Sequence, residues 1–299
     1  MKTLEHFRDR IRTVSDIKTI VSTMKTLAAA RIRQFESVAN ATNSYDETIE
    51  LALQLLMQHP DCPLRLLPDS QPTRVVGMVL LGSDQGFCGR FNENIVANAV
   101  KFRDKEFANG EIRLIGLGRK LEAVLQTRGL DAEQIFSFPA SVSGLNSLVH
   151  DVLQAVNQWR VKDQIDTIQL VYSQRRKAAS PLVVRQQILP PSRQWLQSLA
   201  SRPWGVNSLP ICSVSWTTAF SSTVQQWLFI QVYRCIAESL ASENSSRISA
   251  MRKAENNIDA HLEDLNLEFN RTRQQSITEE LRDILAGVDA EHNTEGKLM

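Results

Sequence analysis

A glycine-rich loop holds the residues of this chain whose types and spacing come closest to those of a chemical site. Residues 82–90 read Gly-Ser-Asp-Gln-Gly-Phe-Cys-Gly-Arg and follow a run of apolar, β-branched residues at 74–81. In α/β proteins, a loop of this kind at the end of a strand can cradle a phosphate with its backbone N–H groups. A cysteine within it can act as a nucleophile. The loop is therefore the first candidate for a nucleotide site or a reactive thiol.

The details of the loop argue against both chemistries. Its glycines are spaced G-x-x-x-G-x-x-G, which is neither the dinucleotide fingerprint nor a phosphate loop ending in Lys-Ser/Thr. A dinucleotide fingerprint begins at Gly116-Leu117-Gly118 but lacks its third glycine. No histidine or other base motif lies near Cys88. Tight strand-to-helix turns explain these glycines. We expect no cofactor and no catalytic cysteine.

The remaining titratable residues form no catalytic or metal-binding pattern. The five histidines show no metal-ligand spacing: His6, His59, His150, His261 and His292. Glu279 and Glu280 are adjacent on a predicted helix, so they point to different faces. The four cysteines are far apart and form no C-x-x-C pair, which favours free thiols in a reducing compartment. We therefore expect a chain that is not an enzyme by itself.

Both ends of the chain are predicted to be long, uninterrupted helices. Residues 1–59 and 211–286 contain no glycine and no proline, the two residues that break helices most reliably. Apolar residues recur at steps of three and four in the first segment: Phe7, Ile11, Val14, Val21, Met24, Ala28, Ile32, Phe35, Val38, Tyr45, Ile49 and Leu56. The second segment has a narrower, more polar stripe: Met251, Ile258, Leu262, Leu265, Phe269, Thr272, Ser276, Leu281 and Ile284. These stripes predict an antiparallel coiled coil of the two helices.

The middle of the chain alternates strands and helices. Strands are predicted at 74–81, 111–117, 134–138 and 166–172, with one more at 182–189, and helices at 91–107, 119–127 and 141–159. This alternation indicates a small, Rossmann-like, parallel-sheet α/β domain. The fold class is therefore α/β, with two long terminal helices as a coiled coil. The predicted division is a long helix at 1–59, the α/β domain at 73–210, a second long helix at 211–287 and a tail at 288–299. The proline-rich stretch 60–72 is predicted to be a linker.

Composition limits the function further. The chain has 299 residues, 42% of them hydrophobic and 22% charged, with a formal net charge of +1, which is typical of a soluble globular protein and gives no reason to expect a nucleic-acid partner. The first helix is locally basic. No apolar run reaches the ~20 residues that a membrane span needs. The charged N-terminus does not resemble a signal peptide. We expect a cytosolic or peripheral membrane protein.

Several segments, taken together, resemble one family: the gamma subunit of F-type ATP synthases. Residues 20–33, IVSTMKTLAAARIR, are similar to I-T-K-A-M-x-M-V-A-A-x-K-x-R. Residues 83–92, SDQGFCGRFN, are similar to S-D-R-G-L-C-G-x-x-N. Residues 239–251 match the start of the family's terminal helix, and residues 265–281, LNLEFNRTRQQSITEEL, are similar to L-T-L-x-Y-N-x-A-R-Q-A-x-I-T-x-E-I. The resemblance covers essentially the whole chain in the correct order.

The chain departs from the family pattern at a few motif positions. Ser22 stands where the family has a lysine, Gln85 where it has an arginine, and Phe87 where it has a leucine. The match is also poor from residue 192 to 216. These departures indicate a divergent bacterial member, and we expect it to come from an alternative ATP synthase.

The resemblance implies a central-stalk rotor. In the family, the helix pair turns inside the catalytic ring of alpha and beta subunits, and the α/β domain is a foot that contacts the epsilon subunit and the membrane c-ring. One copy serves each complex, which lies at the cytoplasmic face of the bacterial membrane and couples hydrogen-ion or other ion transport to ATP synthesis or hydrolysis. The subunit itself makes and breaks no bonds.

The resemblance also implies contact residues for the beta subunit. Arg273 and Gln274 would contact one of its loops, and Thr278 and Glu280 would line the same region. Met24 and Lys25 would face its acidic lever segment. Two other readings of the residues stay open at this point: a free-standing coiled-coil scaffold or adaptor with a non-catalytic α/β domain, and a nucleotide-dependent enzyme built on that domain.

Overall fold

A computed structural model describes residues 4–59, 62, 75–107, 110–139, 141–176, 181–204 and 214–295, with side chains up to residue 286. The predicted linker at 60–72 lies outside the described residues, apart from Cys62.

The described residues form two long helices and a central set of strands and shorter helices. The long helices are α1, Leu4–Gln58, and α6, Trp216–Glu295. The strands are β1 Val75–Leu81, β2 Glu111–Leu117, β3 Gln134–Phe136, β4 Thr167–Gln174 and β5 Leu182–Leu189. The shorter helices are α2 Phe91–Lys101, α3 Arg119–Gln126, α4 Leu145–Lys162 and α5 Arg193–Ser201. A π-helical turn, Phe102–Glu106, extends α2, and a 3₁₀ turn, Val142–Gly144, precedes α4.

The five strands form one mixed sheet in the order β3-β2-β1-β4-β5. The β1–β2, β2–β3 and β1–β4 pairs are parallel, which confirms the predicted sheet for four strands. The fifth strand is antiparallel to β4. The connection between β4 and β5 spans only residues 175–181, and a parallel crossover needs a dozen residues or more. The short connection explains why the sheet is not wholly parallel.

Side chains alternate across the sheet and build a core on each face. Met78 and Leu80 of β1 pack with α2 and α3, whereas Val79 and Leu81 pack with α4 and α6. These four side chains are at most 1% exposed. Because both faces are covered, the strands read as continuous apolar runs and not as alternating ones.

The chain divides into two compact units. One consists of Met1–Leu27 with Ala250–Met299, and the other of Ala28–Ser249. We call them the helix-pair unit and the sheet unit. This division differs from the predicted one, because the sheet unit includes large parts of both long helices. In addition, α6 continues beyond the predicted boundary at residue 287 and ends at Glu295.

In the sheet unit, α6 packs against the sheet through apolar side chains and through two serines that bond to the strands. Ser239, Ala241 and Ser242 are all buried. The Ser239 hydroxyl donates to the Leu81 carbonyl oxygen at 3.5 Å, and the Ser242 and Ser173 Oγ atoms lie 2.7 Å apart. Small side chains at these positions let the helix backbone come close to the strands.

In the helix-pair unit, α1 and α6 run antiparallel. The Arg8 guanidinium lies over the Phe269 ring at 5.7 Å, and Lys18 Nζ lies 2.6 Å from an Asp259 oxygen. Residue numbers rise along α1 as those of their partners fall along α6. The buried stripe includes Phe7, Val21, Met251 and Leu265. The predicted helix pair is therefore confirmed.

The far end of α6 does not follow the predicted stripe. Leu281 and Ile284 were expected to pack against the first helix, yet both are exposed. With Arg8 opposite Phe269, the first described residue of α1 lies near the level of Arg273. Beyond that level, the described residues of α1 offer α6 no partner. Among the described residues, no helix has an apolar stretch long enough to span a membrane.

Candidate partner-binding surface

The six predicted contact residues all lie in the helix-pair unit but form two separate groups. Arg273, Gln274, Thr278 and Glu280 are exposed on α6. Met24 and Lys25 are half-buried on α1, and Lys25 forms an ion pair with Glu255. From 255 to 273 is 18 residues, or about 27 Å along a helix at 1.5 Å per residue. The structure therefore does not bring the two groups into one cluster.

Arg273 lines a basic groove between the two helices. The groove has a volume of about 580 Å³ and is lined by Arg8, Ile11, Arg12, Ser15, Asp16, Asn266, Phe269 and Arg273. Three guanidinium groups and one carboxylate give it a net positive charge. A guanidinium offers several N–H donors in a planar fork that fits carboxylates well. The groove is suited to bind an acidic segment of a partner.

Sequence reasoning named Arg273 but not Arg8 and Arg12. Both belong to the local excess of basic residues in the first helix, but that excess singled out neither as a contact residue. The pairing of α1 with α6 places both beside Arg273.

The other predicted residues differ in how freely they can meet a partner. The Thr278 hydroxyl donates to the Gln274 carbonyl oxygen at 2.8 Å, so it is bonded to its own helix. Lys25 and Glu255 have side chains that are 30% and 21% exposed, so the Lys25 ammonium is already engaged within the unit. Glu280 remains exposed.

A second apolar face of α1 was missed by the sequence analysis. Ile17, Ile20 and Leu27 are 45%, 55% and 60% exposed. With Met24, they follow helical steps of three and four and share one side of α1. The predicted stripe included Met24 but not Ile17, Ile20 or Leu27, so this face was not recognised as a separate one. An exposed apolar strip of this length marks a surface that binds other proteins.

The glycine-rich loop lies in the sheet unit, where a buried arginine of α6 holds it. Arg247 donates to the carbonyl oxygens of Gln85 at 3.2 Å and Gly86 at 3.3 Å. It also donates to Asn244 Oδ1 at 3.0 Å and forms an ion pair with Glu243. Both charged side chains are 6% exposed. The loop thus presents carbonyl acceptors to a cation, whereas a phosphate site needs N–H donors.

The first half of the loop is also occupied by internal hydrogen bonds. Asp84 accepts the backbone N–H of Arg119 at 2.8 Å and that of Phe138 at 2.5 Å. The Asn92 side chain accepts the Ser83 N–H at 3.0 Å and donates to the Ser83 hydroxyl at 2.9 Å. A carboxylate therefore takes the N–H donors that a phosphate would use at this edge of the sheet. The loop serves as a structural link between strand ends and α6.

The setting of the Cys88 thiol disfavours a nucleophilic role. It is buried, and its Sγ lies 3.6 Å from the Ser83 hydroxyl. Burial raises the pKa of the Cys88 thiol, which disfavours the reactive thiolate. Burial likewise raises the pKa of the Glu243 carboxyl, against the opposing effect of Arg247. In the part of the chain that the structure describes, no group of three or more His, Cys, Asp or Glu residues could hold a metal ion.

Comparison with known proteins identifies the family. A family model described as ATP synthase matches residues 3–290. The ATP synthase gamma chain of Chlorobium phaeobacteroides is 30% identical over 297 residues, which cover 97% of this chain and 99% of that protein. The chain belongs to the ATP synthase gamma-chain family. The gamma chain of Chloroherpeton thalassium is 26% identical over 302 residues, covering 97% of this chain and 98% of its own.

Solved structures share the fold of this gamma-chain family member. One is a chain of the Euglena gracilis mitochondrial ATP synthase, solved with OSCP, F1 and c-ring, with a TM-score of 0.67, 19% identity and coverage of 98% of this chain and 95% of that one. Another comes from the central stalk and c-ring of the Tetrahymena thermophila enzyme, with a TM-score of 0.57, 20% identity and coverage of 79% and 99%. These comparisons give no support to a free-standing scaffold.

Proposed function

We propose that the chain is the central-stalk rotor of an F-type ATP synthase. It couples ion-driven rotation of the membrane c-ring to conformational change in the catalytic beta subunits, with one copy in each complex. ATP is made or hydrolysed on the beta subunits, and the chain itself supplies no catalytic group. The observation that carries the proposal is the family match over residues 3–290.

The helices have the properties that a shaft requires. The two long terminal helices would form the shaft, and residues 73–210 the foot. A shaft must resist bending, and helices without glycine or proline keep every backbone hydrogen bond along their length. The described part of α6 is unbroken from Trp216 to Glu295, and α1 from Leu4 to Gln58.

The surfaces of the helix-pair unit suit contact with the catalytic ring. The basic groove at Arg273 would take carboxylates of a beta-subunit loop, with Gln274, Thr278 and Glu280 beside it. Met24 belongs to the exposed apolar face of α1, and Lys25 would meet a second region of the beta subunit. Because the two groups stand about 27 Å apart along the helix, we infer two contact regions and not one.

The remaining partners follow from family membership. The foot would contact the epsilon subunit and the c-ring, and the complex would hold the chain at the cytoplasmic face of the bacterial membrane as a peripheral protein. We propose no nucleic-acid partner and no cofactor for the chain.

Affinity purification of the tagged chain from its native host tests the proposal. We expect alpha, beta, epsilon and c subunits to copurify in fixed proportion, with one copy of this chain for each three beta subunits of the ring. The purified complex should hydrolyse ATP, and the chain alone should not. Recovery of the chain without these subunits, or several copies in each complex, would contradict the proposed role.

A further inference from the structure

A groove on the sheet unit lies between α4 and α6, apart from the surfaces described above. Its volume is about 570 Å³. One wall comes from α4, the other from α6, and the floor is apolar. The lining residues are His150, Leu153, Gln154, Val156, Asn157, Arg160, Leu189, Ser222, Gln225, Gln226, Leu228 and Phe229. Cavities of this size hold a short peptide segment or a small ligand.

The floor offers a place for apolar side chains. Leu153 and Phe229 are only partly buried, although both pack against the core of the sheet unit. The His150 ring lies against the Phe229 ring, with centroids 5.0 Å apart. The two rings form a step at one end of the groove. An apolar side chain placed on Leu153 and Phe229 would complete their burial.

The walls carry polar groups with no partner in the described residues. The side chains of Gln154, Asn157 and Gln225 form no hydrogen bond within the part of the chain that the structure describes, and they face the groove. Each amide can donate and accept at once. Such groups match the backbone N–H and C=O groups of an extended segment, which are free, and not those of a helix, which are already paired.

The charge of the lining selects the partner. Arg160 is exposed and forms no ion pair within the described residues, and no acidic residue is among those that line the groove. The complementary ligand therefore carries a carboxylate at the end of the groove near Arg160.

We propose that the α4–α6 groove binds an extended segment of another subunit, in which an acidic residue stands beside an apolar one. The apolar side chain packs on Leu153 and Phe229, the wall amides bond to the segment's backbone, and Arg160 pairs with the carboxylate. The inference rests on the proposed function, because it requires the chain to work within a multisubunit complex.

Site-specific photocrosslinking in the assembled complex tests this proposal. A benzophenone amino acid replaces Gln154, which lines the groove, or Gln158, an exposed glutamine of the same helix that does not. We expect Gln154 to crosslink to one subunit, at a peptide with Asp or Glu next to an apolar residue, and Gln158 to give no such product. Arg160→Glu should lower the Gln154 product about tenfold, as expected for a lost charge pair. Lys162→Glu, a reversal at an exposed site nearby, should leave it unchanged.

The outcomes separate this inference from the proposed function. An active complex with no Gln154 crosslink, or with equal products from Gln154 and Gln158, would overturn the groove and leave the rotor role intact. A product that survives Arg160→Glu would overturn the pairing with a carboxylate. Failure of the wild-type chain to join any complex would overturn the rotor role and this inference together.

Discussion

The sheet unit contains a buried ion pair, whereas the ion pairs described in the helix-pair unit are partly exposed. In the sheet unit, Arg247 and Glu243 are each 6% exposed, and the guanidinium also holds two loop carbonyls. In the helix-pair unit, Lys25 and Glu255 are 30% and 21% exposed. The buried pair has no water to replace a lost partner, whereas the exposed one does. An ion pair therefore matters more for stability at the buried site than at the exposed one.

Apolar side chains show the same contrast. The sheet unit covers both faces of its sheet, and the central strand β1 is almost wholly buried. The helix-pair unit buries one stripe and leaves Ile17, Ile20 and Leu27 exposed on α1, and Ile277 and Leu281 on α6. The helix-pair unit therefore exposes apolar surface of a kind that is typical of protein-binding sites.

Removing the buried cation should give the largest effect. We expect Arg247→Met to lower the free energy of unfolding by about 3–5 kcal/mol, because Glu243 would be left buried without its partner. Urea denaturation of the full chain, followed by circular dichroism, measures the change. Adding Glu243→Gln should restore part of the loss, since a neutral amide costs less to bury. A loss under about 1 kcal/mol for the single variant would show that the link to the loop is unimportant.

A contact residue of the helix pair should show the opposite behaviour. We expect Arg273→Ala to lower ATP hydrolysis and ion-driven synthesis by the assembled complex about tenfold, or about 1.4 kcal/mol. The free energy of unfolding of the chain should change by less than about 1 kcal/mol, because the side chain is exposed and alanine favours helix. Gln274→Ala should act in the same direction.

Arg271→Ala is the matched control for Arg273→Ala. Arg271 is exposed on the same helix but does not line the basic groove. Wild-type rates for Arg273→Ala, or equal losses for both arginines, would show that the groove does not select a partner.

In the sheet unit, the ionisation of Glu133 should make the stability of the chain depend on pH. Arg113 and Trp159 donate to Glu133, and the bonds from Arg113 hold the pKa of the Glu133 carboxyl below its usual value. The ionised Glu133 carboxylate therefore adds to the free energy of unfolding. This stabilisation is fully present above the unfolded-state pKa near 4.5 and is lost as the pH falls through the folded-state pKa. We expect Glu133→Gln to cost less than about 1 kcal/mol at neutral pH, since solvent screens this partly exposed group.

The pH profile of unfolding tests this effect. The difference between Glu133→Gln and wild type should vanish at low pH, whereas Glu122→Gln, at an exposed site on α3, should show no such trend. If the stability difference between Glu133→Gln and wild type grew as the pH fell, the predicted direction of the pKa shift would be wrong. Glu243 and Glu238 should change the free energy of unfolding with pH in the opposite direction, because burial raises the pKa of each carboxyl.

The smallest effect is expected for the exposed ion pair. Lys25→Ala should change the free energy of unfolding by less than about 1 kcal/mol, as is usual for partly exposed pairs. Calorimetry of the full chain measures it, with Lys253→Ala as an exposed lysine of the same unit for comparison. A loss as large as that of Arg247→Met would remove the distinction between the two units.

Much of the fold could be predicted because its signals are local. The strands at 111–117 and 182–189 have the predicted bounds. Helix α5 was missed, since it follows Pro190 and Pro191 and shows only two buried apolar residues, Leu196 and Leu199. The antiparallel direction of β5 depends on loop length, which the strand pattern does not report.

The sites were harder to predict because they join distant parts of the chain. Arg247 donates to the Gly86 carbonyl oxygen, 161 residues away in sequence. From the sequence alone, the loop therefore resembles an incomplete nucleotide site, and its contact with α6 is not visible. The predicted contact residues Arg273 and Met24 came from the family resemblance, and their contacts with beta subunits remain predictions. The exposed apolar face of α1 with Ile17 and Ile20 was visible in the residue spacing. It was missed because only one apolar stripe, the buried one, was expected on the helix.

The serine contacts between α6 and the sheet have a mechanical consequence. A twist applied to a helix reaches its neighbours through the side chains that join them, and long side chains absorb part of it by changing rotamer. Ser239 and Ser242 have short side chains with little rotamer freedom, and both bond directly to strands of the sheet unit. At these two positions, torque on α6 would reach the strands with little loss to side-chain rotation.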